Sequence, residues 1–272
     1  MSEQPVTVIR PPRGLAGLQL GELWQYRELL FFLVWRNVLV RYKQTVLGFL
    51  WAVLQPLLLM LIMTVFFGTY AKRAGVAAPV YYFAALVPWA FFASGLTQAS
   101  NSLVTNANLI SKVYFPRLAA PIAGALAALV DFVAAFTVLV VMLAVYGVSP
   151  RPAAAVVVPA LLVLAFATSL GAGLWFSALN VSYRDVQYVV PFMIQIGLFL
   201  SVFASNVHSE PWRTLLGINP MAGVIAGFRW SLAGAGGGFT NMIGPSIGIA
   251  ILLVVSGVLY FRQVERGFAD VI

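Results

Sequence analysis

Six stretches of this chain are long and apolar enough to cross a lipid bilayer, and they leave little sequence over for anything else. A helix needs about 20 apolar residues to span about 30 Å of hydrocarbon. Residues 47–70, 80–103, 118–147, 153–179, 187–207 and 243–261 meet or nearly meet that length. Backbone polar groups inside hydrocarbon must be satisfied within the protein, so these runs are read as helices. The predicted fold is an all-α integral membrane protein with six transmembrane helices. Residues 1–272 form a single transmembrane domain, with no room for a separate soluble enzyme domain. Only 9% of the residues are charged, against roughly a quarter in soluble domains.

Charge then sets orientation and excludes several function classes. The net charge is +8, but the basic residues are scattered around the span ends. That pattern fits membrane orientation, and no nucleic-acid partner is expected. With both termini cytoplasmic, eleven Lys and Arg lie inside and five outside, although Lys72 and Arg73 run against the bias. The chain has no cysteine, so disulfides, thiolate catalysis and Cys-ligated metals are excluded. Its one histidine, His208, rules out a multi-His metal site within one chain. No catalytic residue and no metal site is predicted. No G-x-x-x-x-G-K-[ST] motif occurs, so there is no P-loop, and the glycines at 234–238 read as a linker.

Two segments outside the spans carry expectations of their own. Residues 1–14 read as a flexible polar tail, without the apolar core of a cleavable signal peptide. Residues 15–46 read as an N-terminal interfacial helix. Its apolar run Leu29 to Trp35 is too short to cross, which places it in the headgroup plane with Trp24 and Trp35 as anchors. The connection 208–242 is too long for a turn and too apolar for a solvated loop. Short re-entrant helices in the outer leaflet are expected, and any non-helical backbone there must be covered by protein or line a wet cavity.

Several residues carry chemistry. Arg41, Tyr42 and Lys43 form a basic collar directly before the first span. Trp51 and Gln55 are four residues apart and share a helix face. Pro56 removes one backbone hydrogen bond and is expected to kink the helix. An aromatic and an amide on one face suit a wall contacting hydroxylated ligands; the alternative is that Gln55 bonds a neighbouring helix. Aromatic residues are plentiful in the first, second and fifth spans, where they either stack on sugar rings or simply pack. Asp131 is the only acid in the middle of a span, where a charge costs about 2.5–3.5 kcal/mol. Structural hydrogen bonding, lining a pathway and proton coupling all stay open for it. Residues 106–117 form a short amphipathic cytoplasmic segment. Leu109, Ile110, Val113, Tyr114 and Phe115 give it an apolar side that wants a partner, unless it is a plain interfacial turn.

Four stretches, RYKQTVLGFLWAVLQP (41–56), LISKVYFPR (109–117), NVSYRDV (180–186) and NPMAGVIAGFRW (219–230), carry a resemblance. The chain resembles the permease subunits of bacterial ABC exporters for lipid-linked polysaccharides, the group that moves O-antigen and wall teichoic acid. It departs from them at Ala226, where an acid is frequent, and at Ser182, where a basic residue is common. The resemblance implies a homodimer in the bacterial inner membrane, among membrane lipids, with two ATP-binding cassette subunits on the cytoplasmic side. ATP and Mg would be bound by those subunits, and no cofactor by this chain. The substrate would be an undecaprenyl-pyrophosphate-linked polysaccharide. Arg36, Arg41, Tyr42 and Lys43 would receive its pyrophosphate. Phe49, Trp51, Gln55, Trp89, Phe92, Gln195, Phe199 and Phe203 would line the translocation path. Asn108, Lys112, Val113, Tyr114, Phe115 and Pro116, with Tyr183, Arg184 and Asp185, would couple to the ATPase. Pro220, Met221, Phe228, Arg229 and Trp230 would form an outer gate. A related permease for teichoic acid, small lipids or drugs is the alternative. A membrane enzyme acting on lipid-linked substrates has weaker support, because it needs convergent acids or a metal. Lacking a P-loop, the purified chain is expected to hydrolyse no ATP alone; turnover in a preparation proven free of other proteins would refute this.

Overall fold

The structure, a computed structural model, describes residues 24–43, 45, 48–112, 116–204, 209–235 and 238–265, with only the backbone at 110–112 and 210. Helix α1 (Arg27–Tyr42) precedes a 3-10 turn (Gly48–Leu50) that leads into α2 (Trp51–Arg73). There follow α3 (Ala78–Thr105), the short α4 (Ala107–Lys112), α5 (Ala119–Val145) and α6 (Ala154–Ser182). The chain continues through α7 (Val186–Ala204), α8 (Glu210–Leu216), α9 (Pro220–Leu232) and α10 (Phe239–Val264). Six of these, α2, α3, α5, α6, α7 and α10, are long and apolar enough to cross a membrane, and their ends fall within a few residues of those expected. Two of the hairpins end alike. Gly75 and Gly147 take positive φ, and Val76 and Val148 donate back to Ala71 and Leu143 at 3.3 and 2.9 Å. This left-handed closure satisfies the last carbonyls of α2 and α5 before the chain reverses.

Helix α3 is the least apolar of the six spans and the most buried. The pairing has a physical cause. Lipid accepts only apolar faces, so a helix carrying Ser94, Thr97, Gln98, Ser100, Asn101 and Ser102 is driven to the centre of the bundle. Small residues let its neighbours close in. A Cβ on Gly124 of α5 would lie 2.9 Å from the Gln98 backbone, and one on Gly173 of α6 would lie 2.5 Å from the Ala99 side chain. Asn180 of α6 donates to the Ser100 carbonyl at 3.2 Å and to Asn101 at 3.0 Å. Helix α10 packs on the far side of α6, where Gly257 faces the Gly171 carbonyl.

The connections alternate between two ends of the bundle. Arg117, at the start of α5, donates to the Glu265 carbonyl just past α10; we call this end, where α3 passes to α5 and α6 to α7, the lower one. At the upper end the Arg151 N–H donates to the Ser231 carbonyl at 2.9 Å, and its guanidinium lies 4.6 Å from the Trp230 ring centre.

Helix α1 departs from the flat placement expected of it. Leu33 is buried against Ala119 and Ala123 in the first turns of α5. Eight residues later, Arg41 reaches Asp131, near the middle of α5. A helix lying in the headgroup plane would meet α5 at one level, so α1 climbs along α5 instead. The Asp131 carboxylate needs a counter-ion at that depth, and the end of α1 supplies it. The opposite face of α1 stays exposed, with Phe31, Phe32, Trp35, Leu39 and Val40 turned outward, and Trp24 just before the helix is exposed too, so both expected anchors face the surroundings. The helix ends at Tyr42, four residues before the expected boundary. Residues 1–23 lie outside the described residues.

The short helices expected between the last two spans are α8 and α9. Pro220 sits in the first turn of α9, and the Asn219 side chain caps it by accepting from the Met221 N–H at 3.1 Å. The same side chain donates to Ser201 of α7 at 2.8 Å. Nearly all of α9 is buried, against α3, α6, α7 and α10. Pro220, Met221 and Phe228 face protein and Trp230 stacks on Phe239, so these residues form part of the core of the upper half. Arg229 is fully buried. Its Nε donates to the Tyr81 carbonyl at 3.2 Å, one terminal nitrogen donates to the Val202 carbonyl at 2.7 Å, and the cation sits 3.8 Å from the Tyr81 ring centre. One side chain thus ties α9 to α3 and α7. Arg229→Met nearly keeps the volume but strands the Val202 carbonyl in the last turn of α7, at about 1–3 kcal/mol, while the Tyr81 carbonyl keeps its bond within α3. A stability loss of about 1–3 kcal/mol is expected in thermal or denaturant unfolding of the solubilised protein; unchanged stability would refute the tie.

Candidate functional site

A cavity of about 610 Å³ opens between α2, α3 and α7, with the end of α1 and Asp131 of α5 forming one side. Helical periodicity builds each wall. From α2 come Trp51, Ala52, Gln55, Pro56 and Leu59, which recur at one-turn spacing on a single face. Helix α3 contributes Leu86, Trp89, Ala93, Ser94, Thr97 and Gln98 in the same way. Helix α7 contributes Pro191, Ile194, Gln195 and Leu198. The wall is graded along the bundle axis. Towards the lower end it presents Arg41, Tyr42, Thr45, Thr97, Gln98 and Asp131; farther up, Leu59, Leu86 and Leu198 replace them.

Helix α2 runs through Pro56 without a break. Pro56 has no N–H for the Ala52 carbonyl four residues back, and both residues line the cavity. Trp89 is packed by Gly197 of α7, where a Cβ would lie 3.0 Å from the indole. A side chain at that position would push α7 away from α3 and change the width of the cavity.

The strongest polar feature is centred on Asp131. Arg41 forms an ion pair with one of its oxygens, and Ser94 donates to the same oxygen at 3.2 Å. The Tyr42 hydroxyl donates to the other oxygen. Gln98 donates to the Ser94 hydroxyl at 3.1 Å, and Arg41 also reaches that hydroxyl at 3.2 Å. Burial, and then the hydrogen bond to Asp131, push the Tyr42 phenol up to about 12. It therefore stays protonated and keeps donating. Of the roles left open for Asp131, the structure displays two together: it is a hydrogen-bonding hub and it lines the cavity.

The cavity gathers six of the expected capture and path residues: Arg41, Tyr42, Trp51, Gln55, Trp89 and Gln195. Gln55 lines its wall. The other expected path residues lie elsewhere. Phe49 packs edge-on against Tyr42 at 5.4 Å between ring centres, and Phe92 leans on Trp89 at 5.2 Å. Phe199 lies on the exposed face of α7. Phe203 packs against Phe67 and Tyr70. Aromatic count alone did not separate rings that line the cavity from rings that pack behind it. Arg36 also sits outside the cavity, bonded to Asn106 and Asn37, and Lys43 is exposed just past α1. Sequence reasoning gave no role to Ser94, Thr97 or Gln98. Their spacing of three and four residues was the available signal, a polar stripe on one helix face.

At the lower end, α4 covers the first half of the expected coupling segment. Asn108 is exposed, whereas Leu109 packs beside Leu29, Leu30 and Leu33, so α1 already covers part of the apolar side. Pro116 is half-buried. Val113, Tyr114, Phe115 and the Lys112 side chain lie outside the described residues. Tyr183, Arg184 and Asp185 are exposed in the turn between α6 and α7. A second hollow of about 530 Å³, between α6 and α10, is lined by aliphatic side chains and Phe239 and offers no polar group to a ligand.

Comparison with known proteins adds a family to this geometry. The chain is 28% identical over 247 residues to an O-antigen export system permease protein RfbA of Klebsiella pneumoniae, covering 90% of this chain and 95% of the relative. It is 29% identical over 212 residues to the protein of the same name from Myxococcus xanthus, covering 76% and 81%. It is 27% identical over 198 residues to the polysialic acid transport protein KpsM of Escherichia coli, covering 70% and 75%. The family model described as ABC-2 type transporter matches residues 28–233, from α1 to the end of α9. The chain is therefore a multi-pass membrane protein of the ABC-2 type transporter family.

Proposed function

We propose that this chain is the path-forming subunit of an ATP-driven exporter that moves a lipid-linked polysaccharide across the bacterial cytoplasmic membrane. The observation that carries the reading is the graded cavity. It sets indoles (Trp51, Trp89), amides (Gln55, Gln195) and hydroxyls (Ser94, Thr97) on facing walls, beside a cation held at Arg41. Sugars offer C–H faces to aromatic rings and hydroxyls to amides, and neither contact fixes a single register along a polymer. An undecaprenyl-pyrophosphate-linked O-antigen or a similar glycan fits this chemistry. The names of the relatives, O-antigen export permease and polysialic acid transport protein, support the same class.

In this reading the lower end faces the cytoplasm, together with both termini, because most Lys and Arg flank that side. The chain works as a homodimer with two ATP-binding cassette subunits, which bind the ATP and Mg. The apolar faces of α2 and α7 that flank the cavity are left uncovered by the described residues, including Ile62, Phe66, Phe192 and Phe199, and they suit a second copy. Residues 106–117 and the exposed turn Tyr183–Asp185 would meet the ATPase. Lys43 would collect anionic headgroups at the mouth, and α8 and α9 would form the outer closure.

The test is reconstitution with the cognate ATPase, followed by ATP hydrolysis with and without a lipid-linked oligosaccharide. Stimulation by the glycolipid is expected, and its absence with every glycolipid offered would sink the reading. Trp51→Ala should leave capture of a short lipid-linked precursor near normal. Losing one aromatic contact of about 1 kcal/mol should slow export of the full polymer several-fold. Equal export by mutant and wild type would remove α2 from the path.

A further inference from the structure

We propose that the Asp131 carboxylate stands in for a phosphate of the lipid-linked substrate on Arg41, Tyr42 and Ser94, and holds these three donors in place until that phosphate displaces it. The inference rests on the export reading and names the element of the cavity that recognises the anion. Three donors from two helices converge on the two oxygens of Asp131: Arg41 and Ser94 on one, Tyr42 on the other. A guanidinium fork with two hydroxyls suits a phosphate as well as a carboxylate, because both present paired anionic oxygens. The cluster is also reachable, since both charged side chains keep part of their surface open on the cavity wall (28% for Arg41 and 16% for Asp131).

The depth of the cluster gives Asp131 a purpose beyond packing. It lies near the middle of α5, well above the loops of the lower end. An unpaired guanidinium there would be costly, so a counter-ion built into the chain holds Arg41 in place between substrates. The same counter-ion sets a threshold. A weakly held anion cannot displace a carboxylate that accepts three donors, whereas a multivalent diphosphate tethered in the membrane by its lipid can. Exchange would also free Asp131 from Arg41 and so release the end of α1 from α5. The sugar-contacting wall of α2 begins nine residues farther on, at Trp51.

The test uses the full chain in phosphatidylcholine nanodiscs. Three lipids are titrated: a polyprenyl-diphosphate disaccharide, the same polyprenyl disaccharide without phosphate, and phosphatidylglycerol. Asp131→Asn keeps the shape and removes the competing charge. It should bind the diphosphate lipid at least tenfold more tightly than wild type, with no gain for the phosphate-free lipid. The gain should vanish when Arg41→Gln is added. A merely structural Asp131 would instead give weaker or equal binding, which overturns the proposal. If Asp131→Asn does not fold, wild-type protein decides the matter by infrared difference spectroscopy. With only 8 acidic residues in the chain, loss of the Arg41 pair should shift a carboxylate band when the diphosphate lipid binds, and an unmoved band overturns the proposal. A gain confined to phosphatidylglycerol would support the exchange and assign the phosphate to bulk lipid. If wild type and variants all ignore the diphosphate glycolipid and phosphatidylglycerol, the exchange falls. If wild type binds the glycolipid but Asp131→Asn binds it no better, the exchange falls and the export reading stands.

Discussion

A charge carried into hydrocarbon must bring its counter-ion with it, and in this protein that requirement is met by Arg41 and Asp131. Neither residue is tolerable alone at that depth, where an isolated charge costs several kcal/mol. Together they fix three things. They draw α1 up along α5, they decide where the chain turns into α2, and they place a polar cluster against the lower half of the cavity. Ser94 and Gln98 extend the cluster onto α3, so one ionic contact and its hydrogen bonds connect three of the helices around the site, α1, α3 and α5.

The same rule, applied to uncharged groups, explains the rest of the bundle. Lipid rejects polar faces, so the helix richest in serine, threonine and amide side chains becomes the centre and the more apolar ones surround it. Association in hydrocarbon gains nothing from burying leucine in place of lipid, so contact depends on close backbone approach. Gly124 and Gly173 on either side of α3 supply that approach, as do Gly171 and Gly257 between α6 and α10. Arg229 solves a buried-charge problem by a different route. Backbone carbonyls at the ends of α3 and α7, together with the Tyr81 ring, solvate it in place of a carboxylate.

These two arginines divide the labour of the fold. Arg229 is enclosed on all sides and holds the upper half together. Arg41 is paired yet borders the cavity, and its partner is a side chain that an incoming anion can replace. Polar groups that a membrane protein encloses serve its architecture; those it leaves on a cavity wall are available to a ligand.

Much of this was legible in the sequence because the bilayer is an unusually strict solvent. The length of an apolar run fixes a span, so all six appeared within a few residues of their ends, and the content of 208–242 announced α8 and α9. Trp51 and Gln55 could be placed on one face because helical spacing is local. Tertiary structure decided everything that depends on which helix stands beside which. Phe199 and Trp89 look alike as aromatic residues in apolar runs, but one faces outward and the other the cavity, and nothing local separates them. Asp131 read as an isolated acid with three open roles, since its partner lies 90 positions away. The tilt of α1 followed from that same pair. The sequence by itself determined the number, length and order of the helices, because each is a bargain between one segment and lipid. Only the packed bundle decided which polar side chains meet, because that is a bargain between segments far apart in the chain.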